Sequence, residues 1–243
     1  MKYTNPHGLG CFWHQYAESQ GAPNIKWCEE TLCQVVSEPA NTWSNIGYLL
    51  VAFIIVGIAN YRKDPFELKQ FGPIIFFMGA MSLFYHQSNY YTSQILDFVG
   101  MFFFVGWAIG MNLIRLGWMK KKLLVPFNLL LGLILTGIMH WMYLKGTKFQ
   151  GIVLFAGFAI IGTEILARKL VQVNYKYIAT AIVTLIIAFG FSIADGQRLW
   201  CTPTNHGWFS QGHAVWHWVA SVAMLFIYLH YSQPALRKNL DQK

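Results

Sequence analysis

The sequence predicts an all-α membrane protein, a bundle of seven transmembrane helices with its N-terminus outside and its C-terminus inside. Three observations carry this reading. Only 12% of the 243 residues are charged and 55% are hydrophobic, whereas a soluble domain is about 25% charged. Seven apolar runs of helix length alternate with polar breakers. Lys and Arg gather in alternate connections between those runs. This composition excludes a disordered or collagen-like chain and argues against an ordinary cytosolic enzyme. Seven crossings of about 20 residues each use roughly 140 residues. What remains covers short loops and one tail, so residues 1–243 form one membrane domain with no room for a second globular one.

Residues 1–41 are polar and irregular and form an extracytoplasmic segment; they lack the apolar core of a signal peptide. The runs then fall near 42–60, 71–88, 93–115, 123–144, 150–168, 176–194 and 211–231. Asp64-Pro65 breaks the first connection, Lys120-Lys121-Lys122 the third, and Pro203 the sixth. Residues 232–243 form a cytoplasmic tail. Ten Trp and twelve Tyr suit side chains that sit at membrane interfaces. No repeat of fixed period interrupts the pattern, which argues against a transporter built from inverted halves.

Orientation follows from the basic residues. With the N-terminus outside, the inner side holds Arg62, Lys63, Lys69, Arg115, Lys120, Lys121, Lys122, Arg168, Lys169, Lys176, Arg237, Lys238 and Lys243. The outer side holds only Lys2, Lys26, Lys145, Lys148 and Arg198. The net charge of +8 therefore reports membrane orientation. No basic face interleaved with stacking aromatics points to nucleic acid as a partner. Cys11, Cys28, Cys33 and Cys201 all fall on the outer side, where disulfides persist; four cysteines allow three pairings, the spacing chooses none of them, and four free thiols are the competing reading.

Ionisable residues inside membrane spans are costly and mark function by default. His86, Asp97, Asp195, His213 and His217 lie near the ends of their runs, and Glu38, Asn41, Ser44 and Asn45 lie at the start of the first run. The topology puts every one of them in the outer part of the bundle. In Gly212-His213-Ala214-Val215-Trp216-His217 the two histidines stand four apart, on one helix face. That spacing suits two imidazoles closing on one metal ion, and a catalytic zinc takes three protein ligands and leaves a fourth position open. His86 is the natural third ligand. The competing reading is a pair of interfacial histidines bonded to backbone or water.

Ser82 is one turn before His86 on the same face. Its alternatives are oxyanion donor and backbone-bonded membrane serine; those of Asp97 are acid–base residue and N-cap of the third run. Other polar residues have plainer readings. Glu164 and Arg168, four apart, read as a snorkelling ion pair. His140 reads as part of an interfacial belt, and His7, His14, His206 and His230 have no partner at metal spacing.

These residues resemble a known family. Trp27-Cys28-Glu29-Glu30 resembles a W-C-E-E segment, and Glu38-Pro39-Ala40-Asn41-Thr42-Trp43-Ser44-Asn45 resembles E-x-x-N-T-x-S-N. Ser82-x3-His86 followed by Leu96-Asp97 resembles S-x3-H with L-D. Asp195 with Cys201 resembles a D…C pair, and the His213–His217 segment resembles F-H-A-x-W-H. In this order they resemble the alkaline ceramidases, seven-helix intramembrane zinc hydrolases of the CREST superfamily. The resemblance implies that His86, His213 and His217 bind Zn²⁺, that Asp97 acts on the attacking water and that Ser82 assists at the oxyanion. It implies a Cys28–Cys201 disulfide and a lipid substrate, a ceramide-like N-acyl lipid cleaved to a fatty acid and a sphingoid base.

It also implies a Ca²⁺ site, to which Trp27 would give its carbonyl and Glu29 and Glu38 their carboxylates. Lys26 replaces an Asp of the family pattern there, and Thr31 an Asn. Calcium needs six to eight oxygens, so the expectation is a calcium site lost, or replaced by Lys26 pairing with Glu29 or Glu38. The rival reading is a seven-helix receptor or lipid-binding protein of the progestin and adiponectin receptor type, which resembles the reverse orientation. Short loops and no signal peptide suggest a bacterial inner membrane, with an organelle membrane as the alternative and the site facing the extracytoplasmic side.

Overall fold

A computed structural model describes residues 4–241; Lys2 and Lys243, counted above, lie outside the described residues. Every one of the seven apolar runs is helical. In chain order the helices are α1 (His14–Gln20), α2 (Pro39–Ser44), α3 (Ile46–Tyr61), α4 (Phe66–Lys69), α5 (Phe71–Ser88), α6 (Tyr91–Leu116), α7 (Leu124–Leu144), α8 (Gly151–Ala167), α9 (Lys176–Gly196), α10 (Gly212–Tyr231) and α11 (Pro234–Asp241).

The first run is longer than its apolar stretch. Pro39 opens α2 at a position where its missing N–H costs nothing, and α3 follows after Asn45. Helices α1, α4 and α11 lie in segments read from sequence as tail or loop. They are too short or too polar to stand out as apolar runs. Among the described side chains of α11, Leu236 and Leu240, one turn apart, turn inward and are buried.

Among the described residues, five helical stretches are long and apolar enough to cross a membrane: Pro39–Tyr61, Tyr91–Leu116, Lys121–Leu144, Lys176–Gly196 and Gly212–Tyr231. Helix α8 is apolar but shorter, and α5 ends in the polar residues His86, Gln87 and Ser88. Helix α9 buries only Ala181, Ala188 and Asp195; its Val183, Ile186, Ile187 and Phe189 are exposed, as are Leu154, Phe155 and Phe158 of α8. A continuous apolar surface of this kind is unsuited to water and suits lipid.

The main core joins α3, α5, α6 and α10 through Ile55, Phe71, Ile75, Trp107 and Tyr228. Helices α5 and α6 cross so closely that a Cβ on Gly100 would sit 2.7 Å from the Met78 Cα. They are joined by a tight turn in which Asn89 adopts the left-handed conformation (φ 48°), a residue type that tolerates it. The Ser93 hydroxyl accepts the Tyr90 N–H at 3.3 Å and starts α6. The turn thus brings the C-terminal end of α5 and the N-terminal end of α6 to one end of the bundle.

The expected Glu164–Arg168 pair does not form. Arg168 is exposed at the end of α8, whereas Glu164 turns into the bundle. It pairs there with buried Arg115 of α6 and accepts His230 Nε2 of α10 at 3.1 Å. Asn112 Oδ1 accepts Arg115 Nη1 and the Tyr231 hydroxyl, each at 3.0 Å. A buried guanidinium needs a carboxylate more than an exposed one does, so α6 wins the partner. We expect Glu164→Ala to destabilise the protein by about 3–5 kcal/mol, because it removes the carboxylate paired with a buried guanidinium. Arg168→Ala should change stability by no more than about 0.5 kcal/mol. Thermal unfolding in detergent compares the two; equal effects would restore the Glu164–Arg168 pair.

Candidate metal centre

His86 sits in the last turns of α5, and His213 and His217 sit in the first turns of α10. Antiparallel packing brings both segments to the same end of the bundle. All three side chains are buried, and their nearest ring nitrogens lie within 4.8 Å of one another. The i, i+4 spacing puts the His213 and His217 ring centroids 4.5 Å apart, and each lies 5.0 Å from that of His86.

The partners of the outward nitrogens orient the rings. His86 Nδ1 donates to the Glu38 carboxylate at 2.7 Å. The Ser44 hydroxyl gives its proton to the Asn41 carbonyl at 3.0 Å, so its oxygen accepts His217 Nδ1–H at 2.7 Å. His213 Nδ1 faces the Ser192 hydroxyl at 3.4 Å. With the Nδ1 protons of His86 and His217 directed outward, and the Ser192 oxygen placed to accept that of His213, each Nε2 is free to present a lone pair to the centre. The Nε2 atoms of His86 and His213 are 3.2 Å apart. Two bare lone pairs at that distance repel unless a cation lies between them. Two nitrogens on a tetrahedral zinc, each about 2.0–2.1 Å from it, would be about 3.3 Å apart. The donor set therefore fits a zinc-type ion held by three neutral imidazoles.

Asp195 and Trp27 contact His213 directly, and Ser82 lies one turn before His86 on α5. Ser82 and Asp97 are buried on facing helices, with the serine hydroxyl against the carboxylate. Helix α6 begins at Tyr91, so Asp97 lies inside the helix and is not its N-cap. Among the described residues, the group able to hold a metal ion comprises the three imidazoles, without Asp97. Asp195, fully buried at the end of α9, accepts the N–H of Cys28 at 2.8 Å and of His213 at 3.1 Å. It thereby starts α10 and pins the N-terminal segment over it. The Trp27 indole stacks on the His213 ring, with centroids 3.4 Å apart and planes 12° from parallel.

The cysteines are joined as Cys11–Cys33 and Cys28–Cys201. The second is the pair implied by the family resemblance, and it ties the N-terminal segment to the loop before α10. The first closes a loop within that segment. His7, from the same segment, places its Nε2 3.0 Å from the Ser88 carbonyl. The main chain of Ser37 and Glu38 donates to the carbonyls of Gln87 and His86 at 2.9 and 3.2 Å.

The calcium residues are otherwise engaged. Glu29 is fully buried and accepts the N–H groups of Ala40 and Asn41 at 2.7 and 2.8 Å, with His206 Nδ1 at 2.9 Å. Glu38 accepts Asn41 Nδ2 and Asn89 Nδ2 besides His86. Burial raises both carboxyls above their ordinary range, against the pull of these donors. Thr31 Oγ1 accepts Asn89 Nδ2 at 3.1 Å. Lys26 is exposed and, among the described residues, forms no ion pair with Glu29 or Glu38. The expected lysine pairing is thus replaced by neutral amides and imidazoles, because an ammonium keeps its hydration more cheaply at the surface.

Two contributors escaped the sequence. Ser192 lies one turn before Asp195 on α9, and that spacing was its only signal. His206 showed no metal spacing, since its partner is a carboxylate. The family model described as Ceramidase matches residues 19–242. No curated protein matches the chain.

Proposed function

The chain belongs to the ceramidase family, and on that premise we propose that it is an intramembrane zinc-dependent amidase. It cleaves ceramide-like N-acyl lipids to a fatty acid and a sphingoid base. The observation that carries the reading is the buried triad of His86, His213 and His217, with every Nδ1 directed outward and every Nε2 inward. The family match does not favour the receptor alternative.

In this reading the five long apolar helices span the membrane together with α5 and α8, which makes seven. The N-terminal segment lies outside, and the site opens to the extracytoplasmic face of a bacterial inner membrane. The apolar bundle holds the acyl chain while the amide reaches the triad.

A zinc ion held by the three Nε2 atoms would polarise the amide carbonyl and lower the pKa of water from about 15.7 towards about 7. Asp97 accepts a proton from the attacking water as its oxygen bonds to the carbonyl carbon. It then delivers that proton to the amide nitrogen as the C–N bond breaks. The Ser82 hydroxyl turns about its Cβ–Oγ bond to donate to the developing oxyanion. Glu38, Ser44 and Ser192 keep the imidazoles in the orientation that leaves Nε2 free.

The test is fatty-acid release from a panel of N-acyl sphingoid lipids by purified protein, with metal content measured on the same sample. Zinc near one equivalent and release that follows zinc content are expected. A zinc-loaded protein inert towards every N-acyl lipid would overturn the assignment.

A further inference from the structure

We propose that His206 is a positioning residue of the metal centre: this histidine and the amide donors around it, without calcium, fix Glu29 and Glu38. The proposal rests on the reading of the triad as a metal site. It starts from a path of hydrogen bonds. His206 Nδ1 meets Glu29 Oε1 at 2.9 Å. The same carboxylate takes the main-chain N–H groups of Ala40 and Asn41 and so fixes where α2 begins. Helix α2 then supplies two of the triad's supports. The Asn41 side chain holds Glu38 at 3.1 Å, and Glu38 holds His86. The Ser44 hydroxyl holds His217. One carboxylate thus governs the orientation of two of the three imidazoles.

The loop that carries His206 is built to deliver it. Gln211 is fully buried, and its Nε2 donates to the carbonyls of Thr202 and Asn205 at 2.6 and 2.7 Å. The Ser210 hydroxyl donates to the Asn205 carbonyl at 3.1 Å. On the other side the loop is tied to the segment bearing Glu29 by the Cys28–Cys201 disulfide and by the Glu30 N–H on the Pro203 carbonyl at 3.0 Å. Glu29 lies between those two ties, so His206 has little freedom to leave it.

The same contacts account for the carboxylates. Each offers about four lone-pair sites, and Glu29 and Glu38 each accept three N–H donors. A calcium ion needs six to eight oxygens and would have to displace those donors, with an ammonium at Lys26 nearby and only a hydroxyl at Thr31. The residues present do not fit calcium. They make an internally satisfied support in which an imidazole takes the place of an ion.

The experiment measures zinc affinity of the full-length protein, disulfides intact, by competition with a chromophoric chelator. Wild-type protein should bind zinc equally with added calcium or with a calcium-selective chelator, and should retain no radioactive calcium. His206→Ala should weaken zinc binding about tenfold, the low end for loss of a supporting contact. His206→Asn places an amide N–H near the position of Nδ1 and should return affinity to within about threefold of wild type. A purely structural role would not separate Ala from Asn at equal fold content.

Unchanged zinc affinity in His206→Ala, or equal losses in the two variants, would overturn the proposal. So would calcium bound by the wild type, a measurement that stands even if His206→Ala fails to fold. A protein that shows the expected zinc pattern yet cleaves no N-acyl lipid supports this proposal and sinks only the hydrolase reading.

Discussion

Replacing Asp97 by Ala is expected to slow lipid-amide hydrolysis by about 10²–10⁴-fold, the usual contribution of a positioned acid–base residue, with zinc content unchanged. The separation of the two effects is the point of the experiment. Asp97 is buried on α6 beside Ser82 and is not one of the three imidazoles that converge on the centre. Its loss therefore removes the group that moves the proton from water to leaving nitrogen and leaves the metal ligands in place. Asp97→Asn keeps the shape and should be equally slow, because an amide cannot take the proton. Ser82→Ala should lose less, no more than about 10²–10³-fold, as for one oxyanion donor. A zinc-loaded Asp97→Ala protein that hydrolyses at the wild-type rate would end the acid–base assignment.

His217→Ala is expected to lose both zinc and activity, and His86→Ala and His213→Ala should behave alike. Removing one of three imidazoles leaves two ligands, fewer than a catalytic zinc site supplies. The lost polarisation of the carbonyl is worth several kcal/mol, which is at least about 10³-fold in rate. Truncation at residue 217 also removes the Nδ1–H that the Ser44 oxygen accepts at 2.7 Å, while the Ser44 bond to the Asn41 carbonyl stays. Metal analysis and fatty-acid release should fall together, and wild-type protein stripped by a chelator should match the variant until zinc is restored. Full zinc content and full rate in His217→Ala would remove that residue from the site.

The features legible in the sequence are local ones. The seven apolar runs coincide with helices to within about two residues at most ends, because about 20 consecutive apolar residues bounded by polar breakers are a property of the chain itself. The His213–His217 pair was legible for the same reason, since four residues is one helical turn. The first run, read from residue 42, missed the opening turn of α2, because Pro39, Ala40 and Asn41 carry no long apolar side chain.

Partners between helices were decided only by the tertiary structure. Glu164 turns to Arg115, 49 residues away in the chain, and away from Arg168 at four. Glu38 reaches His86 and His206 reaches Glu29 across separations of 48 and 177 residues. The alternatives for the four cysteines closed when the N-terminal segment folded over the loop before α10, with Cys11 on Cys33 and Cys28 on Cys201. A helix face can be read from spacing because the backbone imposes its period on every residue. What that face meets depends on how each helix is rotated and where it crosses its neighbour. Those quantities come from side-chain packing over the whole bundle, such as the close approach of Gly100 to Met78.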